Sequence, residues 1–404
     1  MSRIQRIPAA IIVAGVLAVT AGSAFASHKY VVVNNNASSM NTISIYELFG
    51  NTLGASLVSV TTVPTGGVGS GGGYSDNRTI ATNEGYLGTC IFVGDAGSDD
   101  ISAMLPIDQS PYLQVEGNYH AADGDTATAG GLGIVALGGY VYASYTGNGS
   151  NIPPAIEGWV DSGQCFLEYI DRYPAAGING GPIDSTAVTR DGNLIVGYTD
   201  GSVGSYSISG GQVHLLSQEM IAGSGVGSGA YASGTAISPD RKWAIFADSS
   251  ASNATQVDVA PLTPGGRLGP TTTYGGDGSL GNGLNSTGVA LSPDTRFIYI
   301  VDGGSGQITT LSFDTTTGVV TYPNNCLTDL KGYNTNWVTA SQVDVIGNAG
   351  TGTGLYLSEG FLTGDSYIAL LSVNSKTGCT TELPHSPFTD PNGGSLQSIA
   401  AFTF

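Results

Sequence analysis

The chain has 404 residues, and its 12 Lys plus Arg stand against 31 Asp plus Glu, giving a net charge of -19 with only 11% charged residues. A coiled coil needs far more charge than this, and a nucleic-acid-binding surface needs clustered basic side chains, so the composition argues against both classes. The 62 glycines and 41% hydrophobic residues favour strands joined by tight turns over low-complexity disorder.

The first 26 residues have the pattern of a secretory signal peptide. Arg3 and Arg6 precede an apolar run at residues 11–19, and Ala24-Phe25-Ala26 provides a small-x-small cleavage site. The run is too short for a membrane span, and no later segment is long and apolar enough to be one. We therefore expect cleavage before Ser27, a secreted or otherwise extracytoplasmic protein, and no membrane insertion.

The rest of the chain repeats a short β-rich run seven times. The runs begin 49 to 60 residues apart, at residues 30–34, 90–95, 140–144, 194–198, 243–248, 297–302 and 355–359. A period near 50 residues with several strands per copy is typical of β-propeller blades. The sixth copy divides into four strands, at residues 288–292, 297–301, 307–313 and 319–322. The sequence predicts an all-β fold, a seven-bladed propeller of four-stranded antiparallel blades.

The two ends of the chain complete this count. No room is left for an innermost strand before Tyr30, whereas residues 396–402 resemble such a strand with no blade after it. We expect the C-terminal strand to join the N-terminal blade, because this closes the ring and leaves no open edge. Residues 27–404 then form one domain. An array of immunoglobulin-like sandwiches is the alternative, but it explains neither the period nor the extra strand.

Four cysteines follow the signal peptide, at positions 90, 165, 326 and 379. An even number in an exported chain predicts two disulfides, and the sequence leaves all three pairings open. The spacing fits no zinc motif, and structural bridges are favoured over a catalytic thiol.

Two Ser-Pro-Asp turns, each followed by a β run, lie within residues 236–248 and 289–302, and residues 383–388 read Leu-Pro-His-Ser-Pro-Phe. These segments resemble the lactonase-type seven-bladed propellers, which include 6-phosphogluconolactonase, carboxymuconate cyclase and the YVTN-repeat surface proteins. The resemblance implies an active site of His, Arg and Glu at the channel mouth. The stretch from Asp95 to Asp99 matches the family's Asp-x-Gly-x-Asp pattern, but no His precedes it, so we interpret it as a polar turn.

One set of residues is a candidate for such a site. His120 is predicted in the loop entering the third blade, and Glu168 and Arg172 lie near the exit of that blade. Together they would provide general acid and base groups for ring opening, although a solvated loop histidine is the simpler interpretation of His120. Because the chain is acidic and exported, we expect a neutral or cationic ligand rather than a sugar phosphate, which needs Arg or Lys.

The predicted topology also separates the charges. Most acids fall in loops on one face, including Asp95, Asp248, Asp302 and Asp390, while the other face collects Arg190, Arg241, Lys242, Arg267, Arg296 and Lys376. On the acidic face Asp99, Asp100, Asp123 and Asp125 offer hard oxygen ligands for Ca²⁺, unless they simply cap turns.

Two functions follow from these patterns. We favour a binding or surface-assembly scaffold, whose partner is a small molecule, a surface polymer or a second copy of the chain, with no nucleic acid. The alternative is a lactone hydrolase that acts on an uncharged lactone at the channel mouth. Neither requires a cofactor, and calcium is the only ion that the sequence suggests.

Overall fold

A computed structural model provides the fold. It describes residues 29–49, 56–71, 80–85, 88–107, 112–121, 132–147, 152–189, 191–221, 232–249, 254–283, 286–292, 294–322, 326–330, 338–346, 354–361, 366–390 and 398–403. The predicted signal peptide lies outside these residues. Within them every regular element is a β-strand, and no helix is long and apolar enough to cross a membrane.

Each of the first three blades is an antiparallel sheet. Blade 1 contains β1 (Lys29–Asn34), β2 (Thr42–Phe49) and β3 (Ser56–Pro64). Blade 2 contains β4 (Ile80–Gly85), β5 (Gly88–Asp95), β6 (Asp100–Pro106) and β7 (Leu113–His120). Blade 3 contains β8 (Gly133–Leu137), β9 (Tyr140–Tyr145), β10 (Ala155–Asp161) and β11 (Leu167–Pro174).

Blades 4 and 5 repeat the same order. Blade 4 contains β12 (Ile183–Val188), β13 (Asn193–Tyr198), β14 (Ser202–Ser209) and β15 (Gln212–Met220). Blade 5 contains β16 (Ala232–Ile237), β17 (Trp243–Asp248), β18 (Gln256–Pro261) and β19 (Thr272–Gly275).

The last two blades each add a short extra strand. Blade 6 contains β20 (Ser286–Leu291), β21 (Phe297–Asp302), β22 (Gln307–Phe313), β23 (Val320–Thr321) and β24 (Leu327–Asp329). Blade 7 contains β25 (Val338–Ile346), β26 (Gly354–Phe361), β27 (Ser366–Val373), β28 (Thr380–Glu382) and β29 (Phe388–Asp390). The extra strands β24 and β29 pair with the third strands β22 and β27.

The C-terminal strand completes blade 1 and closes the ring. Strand β30 (Ser398–Thr403) pairs antiparallel with β1, so the sheet order of blade 1 is β3-β2-β1-β30. Each innermost strand contacts that of the next blade, in the closed order β30, β4, β8, β12, β16, β20, β25 and back to β30. The predicted fold, blade number and closure are therefore confirmed. All seven repeated runs are second strands.

The core is divided into seven apolar clusters, one between each pair of neighbouring blades. Side chains on both faces of a blade enter these clusters because strand residues alternate between the faces. The cluster between blades 7 and 1 includes Val31, Val33, Ile368, Leu370 and Ile399. A sheet buried on both faces has few places for charge, which explains the low charged fraction.

The propeller has two faces. One face carries the loops between second and third strands and the loops between one blade and the next, and we call it the upper face. The opposite face is the lower face. There the turn between a blade's third and outermost strands packs against the start of the preceding blade's second strand. A Cβ at Gly266, Gly318 or Gly378, all with positive φ, would overlap Asn193, Trp243 or Phe297 respectively. We call this repeated contact the lower-face clasp.

Both disulfides join neighbouring blades. Cys90 in β5 pairs with Cys165, which occupies the clasp turn of blade 3, and Cys326 of blade 6 pairs with Cys379 in the clasp turn of blade 7. This resolves the pairing that the sequence left open.

Candidate functional site

The carboxylates at the upper ends of the second strands are turned inward. Asp95, Asp248 and Asp302 end β5, β17 and β21, and Asp390 ends the short strand β29. At most 1% of each of these four residues is exposed. The sequence assigned all four to an acidic surface, whereas the structure buries them behind the upper face. The upper surface therefore carries fewer acids than the sequence predicts.

Asp95 organises the loops between blades 1 and 2. Its Oδ1 accepts hydrogen bonds from Asn41 Nδ2 at 2.6 Å and Thr65 Oγ1 at 2.8 Å, and its Oδ2 accepts one from Ser102 Oγ. A Cβ at Gly67 would lie 2.5 Å from Asp95 Oδ2. Burial raises the pKa of Asp95 to about 6, although the three donors act in the opposite direction. The first residue of the Asp-x-Gly-x-Asp stretch thus uses its carboxyl to hydrogen-bond the loops between blades 1 and 2.

Asp302 has the same arrangement four blades later. Thr255 and Thr309 donate their hydroxyls to Oδ2 at 3.1 and 2.6 Å, and Ser286 donates to Oδ1 at 2.9 Å. Burial again raises the pKa, to about 6. Asp95 and Asp302 are each enclosed by polar side chains from two blades, so they fix the loops between blades and do not face a ligand.

The structure does not bring the predicted set of His120, Glu168 and Arg172 together. All three lie on outermost strands, β7 and β11, far from the innermost strands that line the channel. His120 is the last residue of β7 rather than part of a loop, and its Nδ1 lies 2.7 Å from Asp100 Oδ1. Its side chain is 67% exposed.

The three side chains also belong to three different blade faces. Tyr119 packs in the cluster between blades 2 and 3, so the adjacent His120 points toward blade 1. Arg172 lies opposite Glu157, on the face of blade 3 toward blade 2. Glu168 lies opposite Val160, on the other face of blade 3. A joint catalytic role for the three residues stays a prediction.

The pairing of Arg172 with Glu157 was not predicted from the sequence. Glu157 is fully buried, and Arg172 also donates from Nη2 to the Pro153 carbonyl at 2.5 Å. Glu157 lies in a strand whose register the sequence did not fix, so its place opposite Arg172 could not be read in advance.

The predicted calcium ligands are only partly within the described residues. Asp99 adopts a positive φ of 62° in the turn before β6, and Asp100 starts β6 beside His120. Asp123 and Asp125 lie outside the described residues. In the part of the chain that the structure describes, no three His, Cys, Asp or Glu side chains group as metal ligands. Calcium binding stays a prediction.

A repeated β-bulge marks the channel side of the innermost strands. In blades 4, 5, 6 and 7 the pairing with the second strand shifts by one residue near the upper end of the innermost strand. The residues left out of the pairing are polar: Asp184, Ser233, Thr287 and Ser341. We call these four the channel bulge positions.

Asp184 is the one ionisable residue at these positions. Ile183 packs in the cluster toward blade 3, while Ser185 donates to the Ala232 carbonyl of blade 5 at 2.6 Å. The bulge reverses the side-chain direction between these two residues, which leaves Asp184 between the two faces of a strand that lines the channel, where it is partly exposed. Burial raises its pKa to about 7.

One feature of the sequence points to Asp184. An innermost propeller strand is enclosed on both faces, so an Asp within β12 (Ile183–Val188) is unusual in itself. Among the described innermost strands, the other charged residues are Glu84 and Asp344, and none of these strands contains His, Lys or Arg.

No protein-family model and no curated protein matches the chain. Several solved structures share its fold. A protein from Lactobacillus plantarum is 15% identical with a TM-score of 0.65, covering 93% of this chain and 99% of its own. A 6-phosphogluconolactonase-like protein from Bacteroides fragilis is 14% identical with a TM-score of 0.65, covering 94% and 99%. The periplasmic gluconolactonase PpgL from Pseudomonas aeruginosa is 13% identical with a TM-score of 0.62, covering 93% and 98%. At these identities the likeness shows a shared seven-bladed, lactonase-like fold.

Proposed function

We propose that this chain is an exported lactonase-like propeller that binds a small uncharged lactone at the upper end of its channel and opens the ring with Asp184 as general base. The position of Asp184 carries the proposal, because a carboxyl with a pKa of about 7 lies at a bulge in a strand that lines the channel. A general base works best when its pKa lies near the working pH. Two disulfides and the likeness to a periplasmic gluconolactonase support export.

The chemistry needs one proton acceptor and one water. The Asp184 carboxylate takes a proton from water while the water oxygen forms a bond to the lactone carbonyl carbon. The ring C–O bond then breaks, and the leaving alkoxide takes back the proton from Asp184. The product is a hydroxy acid, and Asp184 returns to its ionised form.

The charge of the channel supports an uncharged substrate. The described innermost strands contain no His, Lys or Arg, whereas a phosphate group needs such partners. The hydroxyl residues Ser233 and Thr287 occupy the channel bulge positions of the next two blades, and the Ser233 strand β16 contacts the Asp184 strand β12. A channel whose described innermost strands carry no positive charge disfavours the anionic sugar phosphates.

The test is a panel of neutral lactones of different ring size, assayed with purified wild type and Asp184→Asn. We expect the substitution to lower kcat by about 100-fold or more, because it removes the base without changing its shape. After subtraction of the spontaneous rate, wild-type kcat/KM should rise with pH through about 7 and then level off, since the ionised form of Asp184 is the active one.

Matched controls come from the predicted set on the outermost strands. Glu168→Gln and His120→Ala should keep wild-type kinetics, because neither side chain faces the channel. If these variants lose activity and Asp184→Asn does not, the catalytic site lies with His120 and Glu168, and the role of Asp184 is disproved.

A non-catalytic binding protein is the second candidate. It is favoured because the described innermost strands contain no His, Lys or Arg that could stabilise an oxyanion. In this case wild type hydrolyses no lactone of the panel, while a bound lactone raises the melting temperature of wild type but not of Asp184→Asn.

A further inference from the structure

The exposed apolar side chains are distributed unevenly between the two faces. In the part of the chain that the structure describes, ten large apolar side chains are at least 42% exposed. Five of them lie in lower-face turns or at the strand ends beside them, namely Phe49, Ile107, Tyr112, Phe166 and Val319. Of the same ten, only Met40 and Ile178 lie in upper-face loops, and the other three are on outermost strands. Single exposed apolar side chains are ordinary, whereas a group of them on one face indicates a contact surface.

Four of these five residues follow one another around the ring. Phe49 is the last residue of β2 in blade 1, Ile107 and Tyr112 flank the clasp turn of blade 2, and Phe166 lies in the clasp turn of blade 3. The Ile107 amide donates to the Tyr112 carbonyl at 2.8 Å, which brings the two ends of their turn together. We call these four residues the apolar arc.

Acids accompany the apolar arc. Glu47 lies two residues before Phe49, Asp161 ends β10, and Glu168 lies two residues after Phe166. Lys29, at the start of β1, is the one Lys or Arg among the described residues at the lower ends of blades 1 to 3. This side of the lower face is therefore apolar and acidic.

The basic side chains lie on the other side of the same face. Of the seven Lys and Arg among the described residues, five belong to lower-face turns of blades 5, 6 and 7. All five are exposed, and we call them the basic arc: Arg241, Lys242, Arg267, Arg296 and Lys376.

The basic arc keeps cationic groups available for a partner. Its three ion pairs are Arg241 with Asp191, Lys242 with Asp240 and Arg296 with Asp294, and the three basic side chains are still 53% to 66% exposed. No described carboxylate forms an ion pair with Arg267 or Lys376, and Arg267 donates to the Leu216 carbonyl at 2.5 Å. Exposed ion pairs are weak, so these bases can also contact a second molecule.

A chain with a net charge of -19 repels its own copies, so copies associate only where opposite charges and apolar groups meet. We propose that two copies of this chain associate through their lower faces, with the apolar arc of each copy on the basic arc of the other. A two-fold axis in the plane of the contact forms this arrangement twice, because it brings opposite sides of the two faces together. Both upper ends of the channel stay open, so the inference is independent of the proposed function.

The two arcs are chemically complementary. Phe49, Tyr112 and Phe166 are aromatic, and the face of an aromatic ring attracts the guanidinium group of Arg and the ammonium group of Lys. The long stems of Lys and Arg also cover apolar surface while their charged ends reach outward, here to the acids beside the apolar arc. The apolar arc thus supplies surface to bury, and the charges select the relative orientation of the two copies.

The experiment measures the mass of the particle by sedimentation velocity from about 1 to about 100 µM chain. The wild-type mass should rise from one chain toward two, and added salt should weaken the association because it screens the charges. Tyr112→Asp and Lys376→Glu should each lower the association constant by about 10-fold or more. Met40→Asp is the matched control, since Met40 is 54% exposed on the upper face against 58% for Tyr112. It should associate like the wild type.

A second measurement needs no variant. The amines of Lys242 and Lys376 should react with an acetylating reagent more slowly in concentrated than in dilute wild type, as read by mass spectrometry. The proposal is overturned if wild type stays monomeric over the whole concentration range, or if its mass rises beyond two chains. It is also overturned if the two lower-face variants associate like the wild type, if Met40→Asp weakens association as much as Tyr112→Asp, or if association leaves the reactivity of both lysines unchanged.

Discussion

At the scale of single residues, glycine and aspartate decide how closely neighbouring blades approach. Gly318 has a φ of +75° in the clasp turn of blade 6, and the ring of Trp243 from blade 5 lies against it. Trp243 also donates from Nε1 to the Thr315 carbonyl of that turn at 2.7 Å. The absence of a side chain at residue 318 is therefore a requirement of packing as well as of backbone conformation.

Gly318→Ala should be markedly destabilising. The left-handed backbone alone costs about 1–2 kcal/mol for an L residue, and the overlap with Trp243 adds about 1–3 kcal/mol. Gly210→Ala is the matched control, because Gly210 has a φ of +59° in the corresponding turn of blade 4 with nothing within 4 Å of its Cβ position. Urea unfolding of both variants measures the difference, and equal losses would show that Trp243 adjusts without cost.

At the residue scale, the expectation from the sequence and the structure differ most in the burial of the aspartate side chains. The sequence correctly placed Asp95, Asp248 and Asp302 at strand ends on the upper face. It could not show that these carboxyls turn inward, because their partners Asn41, Thr65 and Thr255 come from other parts of the chain. Burial of a carboxyl depends on such donors, which no local pattern contains.

At the scale of elements, the second strands were predictable and the innermost bulges were not. A second strand is buried on both faces, so its sequence is a continuous β-rich run. This pattern predicted all seven second strands correctly. The bulge at Asp184 depends on the contact of Ser185 with Ala232 and Thr235 in the next blade. Since that contact joins residues about 50 apart in sequence, the bulge and the partial exposure of Asp184 could be found only in the tertiary structure.

Each disulfide joins the clasp turn of one blade to the preceding blade. Each closes a long loop, since the paired cysteines are 75 and 53 positions apart in sequence. On the chain-entropy account each contributes up to about 4 kcal/mol. We expect Cys90→Ser with Cys165→Ser, and separately Cys326→Ser with Cys379→Ser, to lower the melting temperature to a similar extent. Calorimetry with and without reductant checks this, and reductant should not affect the variant that lacks all four cysteines.

At the scale of the whole molecule, closure of the ring depends on a few residues at the C-terminus. Strand β30 supplies the innermost strand of blade 1 and places Ile399 in the cluster between blades 7 and 1. In the same joint Tyr46 of blade 1 donates a hydrogen bond to the Asp390 carboxylate of blade 7. Without β30, strand β1 presents an open edge to the channel and to other molecules.

A chain that ends at residue 397 should fail to form a stable monomer. We expect aggregation or a large loss of cooperative unfolding, measured by size-exclusion chromatography and calorimetry, because both the β1 edge and the joint between blades 7 and 1 are exposed. A chain that ends at Thr403 retains the whole of β30 and serves as the control. Wild-type behaviour of the shorter chain would mean that the ring holds together through the other six joints.

The sequence by itself determined the blade number, the second strands, the closing strand and the presence of two disulfides. These features depend on local alternation of apolar residues and on a period near 50 residues, both of which are written along the chain. Only the tertiary structure decided which cysteines pair, which acids are buried, and that Asp184 rather than His120 lies on a strand that lines the channel. Each of these depends on contacts between blades, and residues that meet across a blade interface are separated in sequence by a full repeat or more.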